Sequence, residues 1–170
     1  MWYICYDMKG EFPPIERFGL REWRAVVLTN EVHGHLGIYS TLGVKMGLRA
    51  LEEFDALGCT GHVSIVSHAG LVPPESCLND GLQIGTGSTL GHGLISAPAT
   101  ATPSASADFT CGGRTMRISL REKFDLRIRE DIQRATARFG RTEEYWQTVH
   151  DLALQYWAEW DRAEIFEVRE

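Results

Sequence analysis

The chain is organised around two stretches, VHGHLG at residues 32–37 and CLNDGLQIGTGSTLGHG at residues 77–93. Together they hold three of the six histidines and one of the four cysteines. Few charged residues surround these possible ligands, and the closely spaced glycines let the backbone bend around a bound group. We therefore interpret the two stretches as two walls of one site.

In the first stretch, His33 and His35 stand two residues apart, so they cannot share one face of a helix. In a turn, both imidazoles can point to one ion, and the intervening Gly34 permits the bend that this requires. Two histidines that hydrogen-bond to the backbone would produce the same pattern. The residues alone leave metal binding and a structural role open.

The second stretch predicts a short helix that begins after Pro73-Pro74, with Ser76 as its N-cap. Cys77, Asp80 and Gln83 then follow at steps of three along one face. The dipole of the first helical turn would lower the thiol pKa of Cys77 and favour the thiolate, the form that binds zinc-like ions. A buried structural cysteine is the alternative.

The segment from Thr86 to Gly93 is rich in glycine and hydroxyl groups. Such a loop can bind an anion through its backbone N–H groups. It lacks the lysine and the spacing of a P-loop, which makes it a poor match to a nucleotide site.

Hydrophobic periodicity and turn residues predict the other elements. Four further helices are predicted over 21–33, 38–54, 121–139 and 142–162. Strands are predicted over 62–67, 108–111, 115–120 and 165–168, with a hairpin at Gly112-Gly113. Gly43 and Gly47, four residues apart, predict that another element approaches the second helix closely. The aromatic stripe of the last helix is typical of a core or a subunit interface, and a flat ligand could also stack there.

The domain organisation is simple. Residues 1–20 are interpreted as an N-terminal arm, residues 21–170 as a single domain, and the low-complexity segment 97–107 as an exposed, mobile loop. The net charge of -6 and the absence of a long Lys/Arg run argue against nucleic-acid binding. With no C-x-x-C motif, secretory signal or apolar stretch of roughly 18 residues, we expect no membrane association and a cytoplasmic protein with reduced cysteines.

The two stretches together resemble the E-subunit family of formylmethanofuran dehydrogenase. That family carries an H-G-H-L-C-P-G-like segment, then C-x-x-D-A-I-Q leading into T-G-C-T-x-G-K-G. The matching positions here are His33, Gly34, His35, Leu36, Cys77, Asp80, Gln83, Thr86, Gly87, Thr89, Gly91 and Gly93. The resemblance covers roughly residues 21 to 139, so the last helix is interpreted as particular to this protein.

Three departures from the family pattern concern possible ligands. Gly37 and Ser88 stand where the family has cysteines, and His92 stands where lysine is usual. This version therefore keeps a single sulfur ligand, Cys77, with imidazoles around it.

The resemblance implies an α+β domain with a mainly antiparallel sheet packed against helices, usually a homodimer, and a transition-metal ion at the motif. The implied metal ligands are His33, His35 and Cys77, around an ion that is most simply zinc. Asp80 and Gln83 would orient them or a bound molecule. The loop residues Thr86, Gly87, Ser88 and Thr89 would close the pocket. Three ligands leave one coordination position open to a small molecule.

Two other functions fit the same residues. The protein could be a metal-dependent hydrolase or lyase acting on a small carbonyl or carboxylate substrate, with Asp80 or His92 moving the proton. It could instead be a carrier or subunit of a redox complex, with heme or another cofactor held between the histidines and the aromatic stripe. The formylmethanofuran oxidation itself belongs to other subunits in the family that this chain resembles.

Overall fold

The computed structural model describes residues 13–170, with side chains from Arg17 onward. The elements in chain order are α1 (Pro13–His33), α2 (Ile38–Ala56), β1 (Ser64–Ser67), α3 (Leu78–Thr86), β2 (Ile95–Ser96), β3 (Ser106–Cys111), β4 (Arg114–Leu120), α4 (Glu122–Phe139), α5 (Glu143–Glu159), α6 (Arg162–Ile165) and β5 (Phe166–Arg169). Short 3-10 turns at Glu75–Cys77 and Leu90–His92 flank α3. None of the helices within the described residues has the length and apolar character needed to cross a membrane.

The strands form one sheet in the order β2-β1-β3-β4-β5. Neighbouring strands are antiparallel except for β1 and β2, which run parallel. At the hairpin, Cys111 pairs with Arg114 across Gly112-Gly113, whose positive φ values of 58° and 80° suit glycine. With its helices packed around a common core, the chain has the predicted α+β fold. The two-residue strand β2 is too short to leave a periodic signal in the sequence.

The first helix begins at Pro13, earlier than predicted. Proline is well tolerated in the first turn of a helix. Gly19 interrupts the helix with φ 85° and ψ 160°, so α1 consists of two helical pieces. Phe18, in the first piece, is only 5% exposed, and the ammonium of Lys45 lies 3.7 Å from its ring centroid. The later part of the predicted arm is thus packed on the domain, while residues 1–12 lie outside the described part of the chain.

Helices α2 and α3 pack with their backbones in contact. A Cβ atom added to Gly43 would lie 2.2 Å from the carbonyl oxygen of Leu78, and one added to Gly81 would lie 1.9 Å from that of Ser40. Such distances leave no room for any side chain. The predicted close approach at Gly43 is confirmed, and it holds α3 in a fixed position against α2.

The aromatic stripe of α5 belongs to the core of the chain itself. Trp157 is 1% exposed and stacks on Trp23 at 5.2 Å, while Tyr156 stacks on Trp160 at 4.0 Å. The helix ends at Glu159 rather than at residue 162. Trp160 leaves the helical region of φ/ψ space, and a new helix starts after it.

The predicted mobile loop is shorter than 97–107. Ser106 and Ala107 already belong to β3, and both are buried together with Ala105. Ser104 donates its N–H to the carbonyl of His68 at 3.0 Å, and His68 donates to the carbonyl of Ser106 at 2.9 Å. A segment rich in alanine and other small residues has the composition of a flexible loop, but small side chains are also compatible with a buried strand.

A buried ion cluster joins α1, α2, α5 and α6. Glu22, at 0% exposure, accepts from Lys45 Nζ at 2.8 Å, from Trp157 Nε1 at 2.9 Å and from Arg162 Nη1 at 2.9 Å. Burial lowers the pKa of Lys45 to about 8, although the carboxylate of Glu22 works against that shift. The cluster connects α1 to α6 through a buried carboxylate and a buried ammonium, while the Arg162 side chain is 19% exposed.

This cluster predicts a specific dependence of stability on pH. Because the pKa of Lys45 falls from 10.5 to about 8 on folding, the unfolded chain binds more protons between these pH values, and stability rises with pH there. Relative to Lys45→Met, the wild-type free energy of unfolding should increase by roughly 1–2 kcal/mol from pH 7.5 to pH 9.5. Urea unfolding of both proteins measures the difference; a constant difference would mean that Lys45 keeps an ordinary pKa.

Candidate metal centre

The last residue of α1 contacts the first turn of α3. His33 Nδ1 lies 2.6 Å from Asp80 Oδ2. Because an ionised carboxylate only accepts hydrogen bonds, this contact places the proton of a neutral ring on Nδ1 and the lone pair on Nε2. Histidines that bind metals are commonly held by a carboxylate in this way. This contact joins α1 to α3 across 47 positions of sequence.

The other nitrogen of His33 is buried and has no hydrogen-bond partner within the described residues. It faces Gly37, since a Cβ atom added there would lie 3.4 Å from Nε2. Burial of a polar atom without a partner costs roughly 1–3 kcal/mol, so few such atoms persist in folded proteins. With its proton on Nδ1, His33 therefore presents a buried lone pair that no group within residues 17–170 uses.

The second imidazole lies beside the first. The ring centroids of His33 and His35 are 4.5 Å apart, with an angle of 40° between the ring planes. Burial lowers the pKa of His35, and the nearby His33 and His150 add to the effect. A lowered pKa keeps this imidazole neutral at pH 7, the state in which it can bind a metal ion.

A cavity of about 280 Å³ opens next to His35. Its walls come from the H-G-H segment and from one face of α5, and they consist of Gly34, His35, Leu36, Glu143, Trp146, Gln147 and His150. The Trp146 indole lies edge-on to His35, with 6.0 Å between the ring centroids. The cavity thus gives a small molecule access to the imidazole of His35.

The residues that α5 contributes to this cavity were not predicted from the sequence. Glu143, Trp146, Gln147 and His150 recur at three- and four-residue spacing, which is the signal of one helical face. That face is polar and partly exposed, beside the buried aromatic stripe. A polar face with one exposed tryptophan was the available clue.

The pKa of the Cys77 thiol is shifted in the direction opposite to the predicted one. Burial raises its pKa, and the carboxylates of Asp80 and Glu75 add to the rise. Cys77 ends a 3-10 turn that leads into α3, and Ser76 lies within that turn, where it makes no capping hydrogen bond. The predicted lowering is therefore wrong, because burial and negative neighbours outweigh the helix terminus.

The described residues contain no group of three or more His, Cys, Asp or Glu side chains arranged to hold a metal ion. The structure brings His33, His35 and Asp80 together. The predicted ligand set of His33, His35 and Cys77, however, is not assembled. The buried Nε2 atom, the neutral imidazole and the orienting carboxylate suit a transition metal. The third donor would have to move to reach the ion.

The predicted pocket-closing residues form hydrogen bonds within the chain. Gln83 Oε1 accepts from the backbone N–H of Leu90 at 3.0 Å, and Thr86 Oγ1 accepts from that of Ser88 at 3.0 Å. Ser88, only 2% exposed, donates its hydroxyl to the carbonyl of Val63 at 2.6 Å. The hydroxyl of Ser88 thus holds α3 to the sheet, at the position where the family has a cysteine.

The rest of this loop lies at the surface. Gly87 ends α3 with φ 79°, and Thr89 Oγ1 accepts from the backbone N–H of His92 at 3.3 Å. His92 is exposed and is not among the residues that line the cavity beside His35. The structure places His92 outside the cavity, and its predicted catalytic role has no contact to support it.

The family model described as "FmdE, Molybdenum formylmethanofuran dehydrogenase operon" matches residues 32–167. The chain belongs to the FmdE family. The match confirms the resemblance found in the sequence and extends beyond residue 139 to include α5, so that helix is not particular to this protein. By its description, the FmdE family is associated with a metal-containing enzyme.

Two individual proteins are also similar to this chain. The chain is 36% identical over 76 residues to a probable S-adenosyl-L-methionine-binding protein of Archaeoglobus fulgidus, covering 42% of this chain and 20% of that protein. The chain thus spans a fifth of that relative's length. A crystal structure of a tungsten formylmethanofuran dehydrogenase FmdE-like protein from Syntrophus aciditrophicus superposes with a TM-score of 0.52 at 14% identity, over 87% of this chain and 70% of that one. This likeness concerns the fold.

Proposed function

We propose that this FmdE-family protein binds one transition-metal ion, most simply zinc, through His33 and His35, with Cys77 as the third ligand. The observation that carries the proposal is the buried Nε2 atom of His33, which has no partner among the described residues while Asp80 holds the ring. A bound ion would use that lone pair. At its open position the ion would act as a Lewis acid toward a small molecule in the cavity beside His35.

Cys77 is the ligand that we propose to move toward the two histidines when the metal binds. It stands one helical turn before Asp80, and side chains at that spacing lie about 5–6 Å apart. Because its thiol pKa is raised, the thiol would lose its proton as the metal binds. Metal affinity should therefore increase with pH through this proton release.

Elemental analysis of the purified full chain tests the proposal. We expect about one equivalent of a transition metal, lost in His33→Ala and His35→Ala, and an affinity at least about tenfold lower in Cys77→Ser. The exposed His62 provides the matched control, since His62→Ala should keep the metal. Wild-type protein that stays metal-free after reconstitution would overturn the proposal.

The role of Asp80 predicts a second result. Asp80→Ala should weaken metal binding about 10- to 100-fold, because the His33 ring would lose the group that orients it. Asp108→Ala is the matched control, since Asp108 accepts from His68 at 2.9 Å on the sheet. Competition with a chromogenic chelator measures both affinities; equal losses would show that Asp80 acts only through stability.

Gly37 allows a test by gain of function. Its backbone, at φ -107° and ψ 150°, suits residues other than glycine. A Cβ atom there would lie 3.4 Å from His33 Nε2 and 3.0 Å from Ser40 Oγ, so the Ser40 hydroxyl would have to shift slightly. Gly37→Cys should add a thiolate ligand and tighten metal binding by at least about tenfold. Gly37→Ala adds the same Cβ atom without sulfur and should not tighten it. Equal affinities for the two variants would place the ion elsewhere.

The second candidate function is the binding of a sulfonium compound such as S-adenosylmethionine. Glu143 and the exposed indole of Trp146 line the cavity, and none of the cavity-lining residues is Lys or Arg. A carboxylate beside an aromatic face attracts cations, which disfavours the carboxylate substrate considered above. Calorimetry should show binding of S-adenosylmethionine that Trp146→Ala removes, and much weaker binding of S-adenosylhomocysteine, whose thioether sulfur carries no charge. Equal binding of both compounds would refute a role for the charge.

The remaining expectations are proposals as well. Leu28 and Val32 on α1, 52% and 63% exposed, would supply apolar contacts to a homodimer. Sedimentation of the wild type and of Leu28→Glu tests this surface.

A heme would have to contact Trp146 alone, because Trp157 and its neighbours in the stripe are packed in the core. A cytoplasmic location stays a prediction.

A further inference from the structure

Two cysteines outside the metal centre meet at the opposite end of α2. Cys59 lies in the loop between α2 and β1, and Cys111 is the last residue of β3. Both line one surface cavity, and Cys59 lies near enough to raise the pKa of the Cys111 thiol. A Cβ atom added to Gly112, the next residue in the hairpin, would lie 3.9 Å from Cys59 Sγ. Residues distant in sequence thus form a thiol pair without a C-x-x-C motif.

The pair is accessible from one side. Both cysteines line a surface cavity of about 340 Å³, in which Cys59 is partly exposed and Cys111 is only 2% exposed. Arg21, Glu52 and Asp55 line the same cavity and offer one positive and two negative side chains, of which Glu52 is paired with Arg162. A small zwitterionic molecule could therefore approach Cys59 first and reach Cys111 only through it.

We propose that Cys59 and Cys111 exchange with a low-molecular-weight peptide disulfide and close into an intramolecular disulfide. The Cys59 thiolate attacks one sulfur of the small disulfide, forms a mixed disulfide and releases one small thiol. The Cys111 thiolate then attacks Cys59 Sγ and releases the second small thiol. Two protein thiols are oxidised, and the small disulfide is reduced to two thiols. The proton of each cysteine passes to solvent, and the departing thiolate takes up a proton there.

The surroundings of the pair suit this reaction. Gly58 and Gly61 give the loop positive φ values of 66° and 119°, so Cys59 sits in a short turn-rich segment rather than in a helix or strand. Such a segment can adjust to the geometry of a disulfide more readily than an element can. Burial and the adjacent Cys59 raise the pKa of the Cys111 thiol, so the closing step should accelerate as pH rises.

The thiol pair and the proposed metal centre are independent. The histidines precede the first residue of α2, and Cys59 follows its end, so the 19-residue helix separates the two places by about 28 Å. Oxidation of the pair would tie the end of α2 to the sheet. It would leave His33, His35 and Cys77 in place.

The test uses the full chain with Cys5→Ser and Cys77→Ser, which leaves only the proposed pair. After native incubation with oxidised glutathione, both thiols should resist alkylation, the mass should fall by two hydrogen atoms, and a peptide that links Cys59 to Cys111 should appear. Adding Cys59→Ser should leave Cys111 reduced, because the small disulfide cannot reach it. Two thiols that stay reactive, or glutathione retained on Cys59, would overturn the proposal.

A second measurement, on the wild-type chain, tests the pairing even if the serine variants fail to fold. Phenylarsine oxide condenses with two neighbouring thiols and releases water, so it should protect Cys59 and Cys111 together from alkylation. Cys111→Ala, whose smaller side chain suits the core, should abolish the protection of Cys59. Protection of Cys59 that persists in this variant would contradict the pairing. Metal content should be the same before and after oxidation, which keeps this outcome separate from that of the metal centre.

Discussion

Gly81→Ala should destabilise the protein by roughly 3 kcal/mol or more, toward the upper end of what overpacking costs. The added Cβ atom would lie 1.9 Å from the carbonyl oxygen of Ser40 and 2.8 Å from the Cα atom of Gly43. Backbone atoms cannot swing aside as a side chain can, so α3 would have to move away from α2. Urea unfolding measures the loss.

The matched control is Gly91→Ala. The nearest atom to a Cβ there is Thr89 Oγ1 at 4.0 Å, and the backbone of Gly91 has no positive φ. We expect a change within about 0.5 kcal/mol. Because Asp80 precedes Gly81, the Gly81 variant should also bind metal less tightly at temperatures where it is still folded. Equal stability of the two alanine variants would mean that α2 and α3 are less closely packed than the structure shows.

Glu22→Gln should cost about 3–5 kcal/mol, because it removes the buried carboxylate that binds both Lys45 and Arg162 and that holds up the pKa of Lys45. The replacement has the same shape and can still accept from Trp157 Nε1. Loss of charge, rather than loss of packing, would therefore cause the effect. Chemical unfolding at pH 7 measures it.

Two variants separate this effect from that of a surface pair. Glu52 also binds Arg162, at 2.6 Å, but its side chain is 45% exposed, so Glu52→Gln should cost less than about 1 kcal/mol. Lys45→Met should cost less than Glu22→Gln, since Glu22 keeps its bonds to Arg162 and Trp157. Similar losses for Glu22→Gln and Glu52→Gln would argue that water reaches the cluster.

Much of the fold was predictable because its signals are local. The hairpin at Gly112-Gly113 and the helix that ends at Phe139 follow from turn residues and apolar spacing within a few positions. Local signals failed where a strand consisted of small residues, as at Ser106 and Ala107, and where the helix toward residue 162 broke after Glu159. In both places tertiary contacts outweighed intrinsic propensity.

The candidate site was predictable only as a set of residue types. The H-G-H segment and the Asp80 motif point to chemistry, but the pairing of His33 with Asp80 depends on how closely α2 and α3 approach. The cavity wall from α5 comes from more than 100 residues further along the chain than the histidines. No local pattern connects positions so far apart.

Residue types and their spacing determined the FmdE membership, the α+β class and the two histidine-bearing stretches, because these properties depend on neighbouring residues. Tertiary structure alone decided which nitrogen of His33 is left without a partner, that burial raises the pKa of Cys77, and that Cys59 meets Cys111. Those outcomes depend on burial and on contacts between distant segments. Both arise only when the whole chain packs around one core.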